Sequence, residues 1–211
     1  MKATRLRALL GLLGLALLGA CASAPPPRTL LALPPTVGVA ASGASAPAPL
    51  SALAQRAEAP LLVVRRLAIP EHLQSRRVRF RADASTLGEW PDTVWAERIE
   101  AAMTREFVAA LRPRLPGHEV CEASCGERLP TQSLTVELQP LDFMRASRRL
   151  QAHARIWLAA SGREAKALGS AEFDFDLPAA ADTPQAQAEA MSELLRQLAA
   201  AVAPWMGSSS H

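Results

Sequence analysis

The chain has 211 residues, 49% hydrophobic and 4% aromatic, with 23 Lys and Arg against 20 Asp and Glu. Three of the basic residues, Lys2, Arg5 and Arg7, sit at the extreme N-terminus, and the remainder carries equal numbers of both signs. That balance excludes the broad positive field of a nucleic-acid binder, and the length suits one domain of about 100–200 residues plus a flanking segment.

Residues 1–20 read as a lipoprotein signal peptide. A basic start leads into an apolar run from Ala8 to Leu18, broken only by Gly11 and Gly14, and then into Leu18-Gly19-Ala20-Cys21. The run is too short to span a bilayer, which takes about 20 residues. Small residues before a cysteine mark the cut, so Cys21 is the expected lipidation site and the mature N-terminus, and no cofactor beyond that lipid is expected. Several acyl chains, palmitate among them, anchor where one chain does not. Ala22 stands where an Asp would signal inner-membrane retention, so the expected place is the inner leaflet of the outer membrane with the body in the periplasm.

Residues 21–60 read as anchor and tether, Pro-rich at first and Ala/Ser/Gly/Pro-rich from Ala40 to Pro49. As a flexible coil of some 40 residues it would reach roughly 35 Å. Its one strand-like island, Arg28 to Leu33, either docks on a sheet edge or is plain linker.

The body, residues 61–206, opens with a buried strand from Leu61, stopped by Pro70. In Arg76 to Arg81, alternation puts Val78 and Phe80 on one face and Arg77, Arg79 and Arg81 on the other. The arginine row either meets lipid phosphates or an acidic partner, or is a solvated strand face. Asp92 is the expected cap of a helix to Arg112, with Trp95, Ile99, Ala102, Met103, Phe107, Ala110 and Leu111 as its apolar stripe and Pro113 as its stop. Cys121 and Cys125 follow, with His118 nearby. Three ligands at irregular spacing lack a fourth for zinc, and an oxidising compartment favours a disulfide, so no metal is expected.

Three alternating strands come next. Leu134, Val136 and Leu138 face in, as do Leu150, Ala152, Ala154, Ile156 and Leu158, and then Ala171, Phe173, Phe175 and Leu177. Arg155 shares the open face with Asp174 and Asp176, which predicts cross-strand charge pairing. Trp157 also points outward, either packed under the tether or part of a contact surface. Thr183-Pro184 starts the last helix, with Met191, Leu195, Leu198 and Val202 buried and Trp205 beyond Pro204. Residues 207–211 read as a frayed, disordered tail. The pattern gives an α+β fold, a mostly antiparallel sheet with two helices packed on one face.

Leu61-Leu62-Val63-Val64 through Ile69-Pro70-Glu71-His72-Leu73, then Val94-Trp95-Ala96, then Leu134-Thr135-Val136 to Ile156-Trp157-Leu158, resemble in order and spacing the ABC-type transport auxiliary lipoprotein family (PqiC/YmbA-like). Leu30-Leu31-Ala32-Leu33 stands where that family often has Tyr-Tyr-x-Leu. The resemblance implies the same α+β fold and an accessory subunit of a transport system with an ATPase, a permease and a mammalian-cell-entry (MCE) domain protein, moving lipids between membranes. The histidines at 72, 118, 153 and 211 are scattered and no nucleophile-elbow, zincin or phosphate-loop motif occurs, so no catalytic residue is expected. The rival functions are direct lipid carriage in an apolar groove and outer-membrane assembly. A homo-oligomer is compatible with each. The expected partner surface is Arg155, Trp157, Asp174 and Asp176, extended by Arg77, Arg79 and Arg81.

Overall fold

The computed structural model describes residues 27–37, 59–162 and 166–209. The signal peptide, Cys21 and residues 38–58 of the expected tether lie outside the described residues, as do residues 210 and 211. Eight strands and two helices make up the body: β1 (Thr29–Leu31), β2 (Leu61–Val64), β3 (Arg77–Arg81), β4 (Leu87–Trp95), α1 (Ile99–Leu111), β5 (Glu119–Glu122), β6 (Gln132–Met144), β7 (Arg149–Ala160), β8 (Ala167–Pro178) and α2 (Pro184–Ser209).

β6 is the hub of the sheet. On one side it pairs with β7 from Gln132↔Ala160 to Met144↔Arg149, and β8 lies beyond β7. Its other side is shared between two branches. β2 takes the first part, from Leu62↔Gln132, with Ala68 bridging to Glu137, and leads to β5. β3 takes the last part at Arg81↔Met144 and leads through β4 to β1. The handover falls near the register shift between Leu138 and Leu141, where Pro140 has no N–H to give to a ladder.

The α+β class holds, but the sheet is mixed. The pairings β1–β4, β2–β5, β2–β6 and β3–β6 are parallel, and only β3–β4, β6–β7 and β7–β8 are antiparallel. Alternation reports which face is buried, not the direction of the neighbour. β2 is separated from β5 and β6 by a hairpin and a helix, and such long crossovers allow parallel return.

The expected helix from Asp92 also needs correcting. Asp92 sits inside β4 with φ 48°, and α1 starts only at Ile99. Trp95 lies four residues before Ile99 and so extends the helical stripe by coincidence, while it is really buried at the end of a strand opposite Leu31. The left-handed turn at Asp92 puts Trp90 and Thr93, three apart, both on the buried side, which hides the period of two.

Within α1, Ile99, Ala102, Met103, Phe107, Ala110 and Leu111 are all buried. α2 is capped by Thr183, whose Oγ1 accepts the Ala186 N–H at 3.2 Å. Met191, Leu195, Leu198 and Val202 form its buried stripe. The helix does not stop at Pro204 but runs to Ser209, so residues 207–209 are helical rather than frayed. Met206 is 1% exposed, and its packing holds the turn that Pro204 would otherwise loosen. Both helices and the inward residues of the sheet form one core that includes Phe107, Leu134, Leu138, Ile156 and Leu158. Each such side chain contributes about 1.5–3 kcal/mol by leaving water.

The strand-like island is docked. β1 runs parallel to β4, and the Ala96 N–H donates to the Leu31 C=O at 2.8 Å. Leu31 and Leu33 enter the core. Ser192 Oγ of α2 donates to the Pro34 C=O at 2.7 Å, and Thr36 bonds to Glu106 of α1. The segment from 27 to 37 is therefore part of the body and is fastened to both helices.

Candidate functional site

The open face of the sheet lies opposite the helices and holds most of the expected partner residues. Ladder register sets Gln151 beside Asp176, His153 beside Asp174 and Arg155 beside Glu172. Of the charge pairs only His153 with Asp174 follows that register, while Arg149 reaches diagonally to Asp176 and Arg155 turns to Glu137 on β6. His153 Nδ1 lies 2.7 Å from Asp174 Oδ1, Arg149 Nε donates to Asp176 Oδ1 at 2.6 Å, and Arg155 Nη2 reaches Glu137 Oε1 at 4.0 Å. Arg155 thus shares a face with Asp174 and Asp176 without pairing to either. The alternation fixed the face, while the exact partner depends on a hairpin offset that alternation does not contain.

Trp157 is 40% exposed between Thr135 and Ser170 on the neighbouring strands. The described part of the N-terminal segment docks at β4, three strands away from β7, and so does not cover it. A large aromatic left half out of water between two small side chains is a ready contact point.

Arg77, Arg79 and Arg81 form a second charged group on the same side of β3, and each has a carboxylate partner. Arg79 Nε donates to Glu89 Oε1 at 3.1 Å and its Nη1 to the His72 C=O at 2.8 Å. Arg77 Nη1 lies 3.5 Å from Glu89 Oε2, and Arg81 Nη2 lies 3.0 Å from Asp142 Oδ1. His72, in the short turn Glu71–Leu73, places Nε2 3.6 Å from Asp142 Oδ1. Burial pushes the His72 imidazole below its ordinary pKa; Asp142 opposes that, and Arg81 and Arg79 reinforce it. The imidazole therefore favours its neutral form. Reading the sequence missed this group because the expected strand ended before Asp142. Leu134, Val136 and Leu138 face in, so parity carried forward would put Asp142 inside; the irregularity between Leu138 and Leu141 moves the inward positions to Leu141 and Phe143 and turns Asp142 to the arginine side.

A clamp at one end of the sheet orients these strands. The Arg145 guanidinium stacks over Phe80 and Trp90 at 4.7 and 4.5 Å from the ring centroids and bonds Asp182 at 2.9 and 3.1 Å. Trp90 Nε1 donates to Gln187 Oε1 at 2.7 Å, and Gln187 Nε2 donates to the Arg79 C=O at 2.7 Å. The β3–β4 hairpin is thereby tied to α2.

At the opposite end of the sheet lies an open depression of about 770 Å³, lined among others by Leu61, Leu129, Thr131, Gln132, Ala160 and Leu168. Leu129 is 86% exposed at its rim. The space lies at the strand ends, not between sheet and helices. Nearby, Cys121 at the end of β5 forms a disulfide with Cys125, their Cα atoms 5.2 Å apart. Among the described residues no group of three or more His, Cys, Asp or Glu side chains is placed to hold a metal ion. No described helix is long and apolar enough to cross a membrane.

Comparison with known proteins adds the following. The fold is similar to the crystal structure of an uncharacterized protein at TM-score 0.60 and 18% identity, covering 70% of this chain and 92% of that one. It is also similar to protein XCC0632 from Xanthomonas campestris, of the DUF330 family, at TM-score 0.56 and 14% identity, covering 87% and 94%. At those identities the likeness is one of fold. No curated protein matches the chain. The sequence profile of the ABC-type transport auxiliary lipoprotein component family matches residues 44–203, so the chain belongs to that family.

Proposed function

We propose that the protein is a lipid-anchored, periplasmic, non-enzymatic accessory subunit of an ABC transport system, held to the outer membrane through Cys21 and receiving an MCE-domain partner on its open face. The cargo in this reading is lipid moving between membranes. The observation that carries it is the docking of residues 27–37 onto both helices. Only residues 22–26 separate Cys21 from the first described residue, Pro27. Six extended residue steps reach at most about 20 Å, less than the reach of the long tether expected from the sequence. A link of that length keeps the body beside its membrane and raises its effective concentration for a partner that comes to the same surface.

Direct lipid carriage is the second reading, and the apolar lining of the depression at Leu61, Leu129 and Leu168 favours it. The packed layer between sheet and helices, where Met103, Phe107, Leu138 and Leu194 are fully buried, speaks against a groove of lipid size there.

Mass spectrometry of the mature N-terminus should find acylated Cys21, and crosslinking in intact cells should recover an MCE-domain protein. Unmodified Cys21 sinks the anchor. Acylated Cys21 with no MCE protein recovered sinks the bridge and leaves the anchor standing.

A further inference from the structure

Among the described residues the branch through β2 ends at the four-residue β5, and the six strands β1, β4, β3, β6, β7 and β8 lie side by side in a row whose two edges are β1 and β8. The two are very different. β1 has three residues, whereas β8 has twelve and pairs with β7 alone among the described residues. The Ala179 N–H donates to the Arg148 C=O at 2.8 Å, and that bond sets the phase of the antiparallel ladder. With that phase, Ala171, Phe173, Phe175 and Leu177 exchange backbone bonds with β7, and the N–H and C=O groups of Ser170, Glu172 and Asp174 point off the free edge. Asp176 differs, because its C=O accepts from Arg149 Nη2 at 2.9 Å.

Natural edges are usually kept short, bulged, or marked by Pro or by charge, Lys above all. Between Gly169 and Leu177, β8 has no Pro, no Lys and no register shift. What it has is an acidic row on the open face, with the side chains of Glu172, Asp174 and Asp176 65%, 88% and 51% exposed. The row argues against a second copy of this chain. Two β8 strands paired antiparallel about Asp174 would set Asp174 against itself and Glu172 against Asp176, and like charges directly opposite destabilise a sheet. The same row complements a basic strand.

We infer that β8 is the docking edge for an extended segment of a partner protein with Lys or Arg at alternate positions. The segment adds to the sheet through the backbone of Ser170, Glu172 and Asp174, and its basic side chains lie on the open face against the two carboxylates. β1 and β8 are five strand spacings apart, about 24 Å. The docking edge is therefore the one remote from the membrane; that orientation rests on the proposed anchor, while the docking mode rests on the ladder alone.

The test is amide hydrogen exchange on the full mature chain in detergent micelles, with a short acetylated peptide alternating Lys and Val as the probe. Binding should slow exchange at Glu172 and Asp174 by roughly tenfold or more. A Glu-for-Lys peptide should do nothing to the wild type and should bind the double variant Glu172→Lys, Asp174→Lys. N-methylation of alternate peptide nitrogens should abolish the effect. The inference is overturned if the Lys peptide slows nothing on β8, if both peptides act alike, or if the N-methylated peptide still works. It is also overturned if these amides become protected with rising protein concentration alone, which would put a second copy on the edge. Failure here leaves the lipid anchor untouched, since acylation of Cys21 is read separately.

Discussion

Thr36 gives its backbone N–H to the Glu106 carboxylate at 3.0 Å and its hydroxyl to the Glu106 C=O at 2.7 Å, so one threonine fastens the N-terminal segment to the middle of α1. Both residues are buried. Removing the hydroxyl leaves the N–H-to-carboxylate bond in place and takes the side-chain donor away from the Glu106 C=O, at a cost of about 0.5–1.5 kcal/mol. Thr36→Val should lower the denaturant midpoint accordingly and raise exchange at the Leu31 and Leu33 amides ahead of the rest. A variant that loses stability with those amides still protected would show that the strap is held by Leu31 and Leu33 alone.

The disulfide between Cys121 and Cys125 closes a loop of sequence separation four. A loop that small contributes about 2 kcal/mol by the chain-entropy estimate. Thiol labelling of the unreduced, denatured protein should find neither cysteine free. Cys121→Ser with Cys125→Ser should fold, with a midpoint lowered by that amount. Labelling of both cysteines in the wild type would make them a thiol pair and reopen a metal role with His118.

Much of this architecture was written in the sequence. The alternation of β7 and β8 is long and regular, so faces could be read residue by residue, and Trp157, Arg155, Asp174 and Asp176 lie on the side expected, whereas β6 breaks its alternation at Gln139 and Pro140. What could not be read is what non-local pairing decides. The parallel neighbours of β2 come from strands tens of residues away. β4 was hidden because Asp92 breaks its alternation and Trp95 mimics a helical stripe. The docking of β1 depends on Leu31 and Leu33 finding a core that the local composition does not announce. The His72–Asp142–Arg81 group unites a turn and two strands and has no local spacing to betray it.

That group makes the stability sensitive to acid in a defined direction. The folded protein holds the His72 pKa below its ordinary value, chiefly by burial. The unfolded chain then binds the proton more readily, so this contribution is complete above the unfolded value of about 6.5 and is lost as pH falls through it toward the lower folded value. His72→Gln should flatten that part of the stability–pH curve. Asp142→Asn removes the charge that raises the pKa and should depress the imidazole further, as NMR titration of its ring protons would show. A His72 resonance titrating above the ordinary value would mean that Asp142 outweighs burial.

Trp157 separates a surface kept for the fold from one kept for a partner. Its neighbours across the strands are Thr135 and Ser170, too small to cover it, and Arg155 two residues before it is turned toward Glu137. With 40% of the residue exposed, the indole gives the isolated protein only part of its apolar area. Trp157→Ala should therefore cost the fold about 1 kcal/mol or less, in the range of exposed strand substitutions. In a complex the ring would be sealed from water, and buried tryptophans are among the residues whose loss costs about 2 kcal/mol or more of binding. The expected pattern is a small shift in denaturant midpoint with roughly thirtyfold weaker capture of the MCE-domain partner. Arg155→Glu would set a carboxylate beside Glu137 and Glu172, and like-charge repulsion would lower stability by some tenths of a kcal/mol, up to about 1. It should disturb docking less than loss of the indole if the aromatic is the centre of the contact. Partner crosslinking that survives both changes, with stability falling, would assign Trp157 to the fold and move the contact off this face.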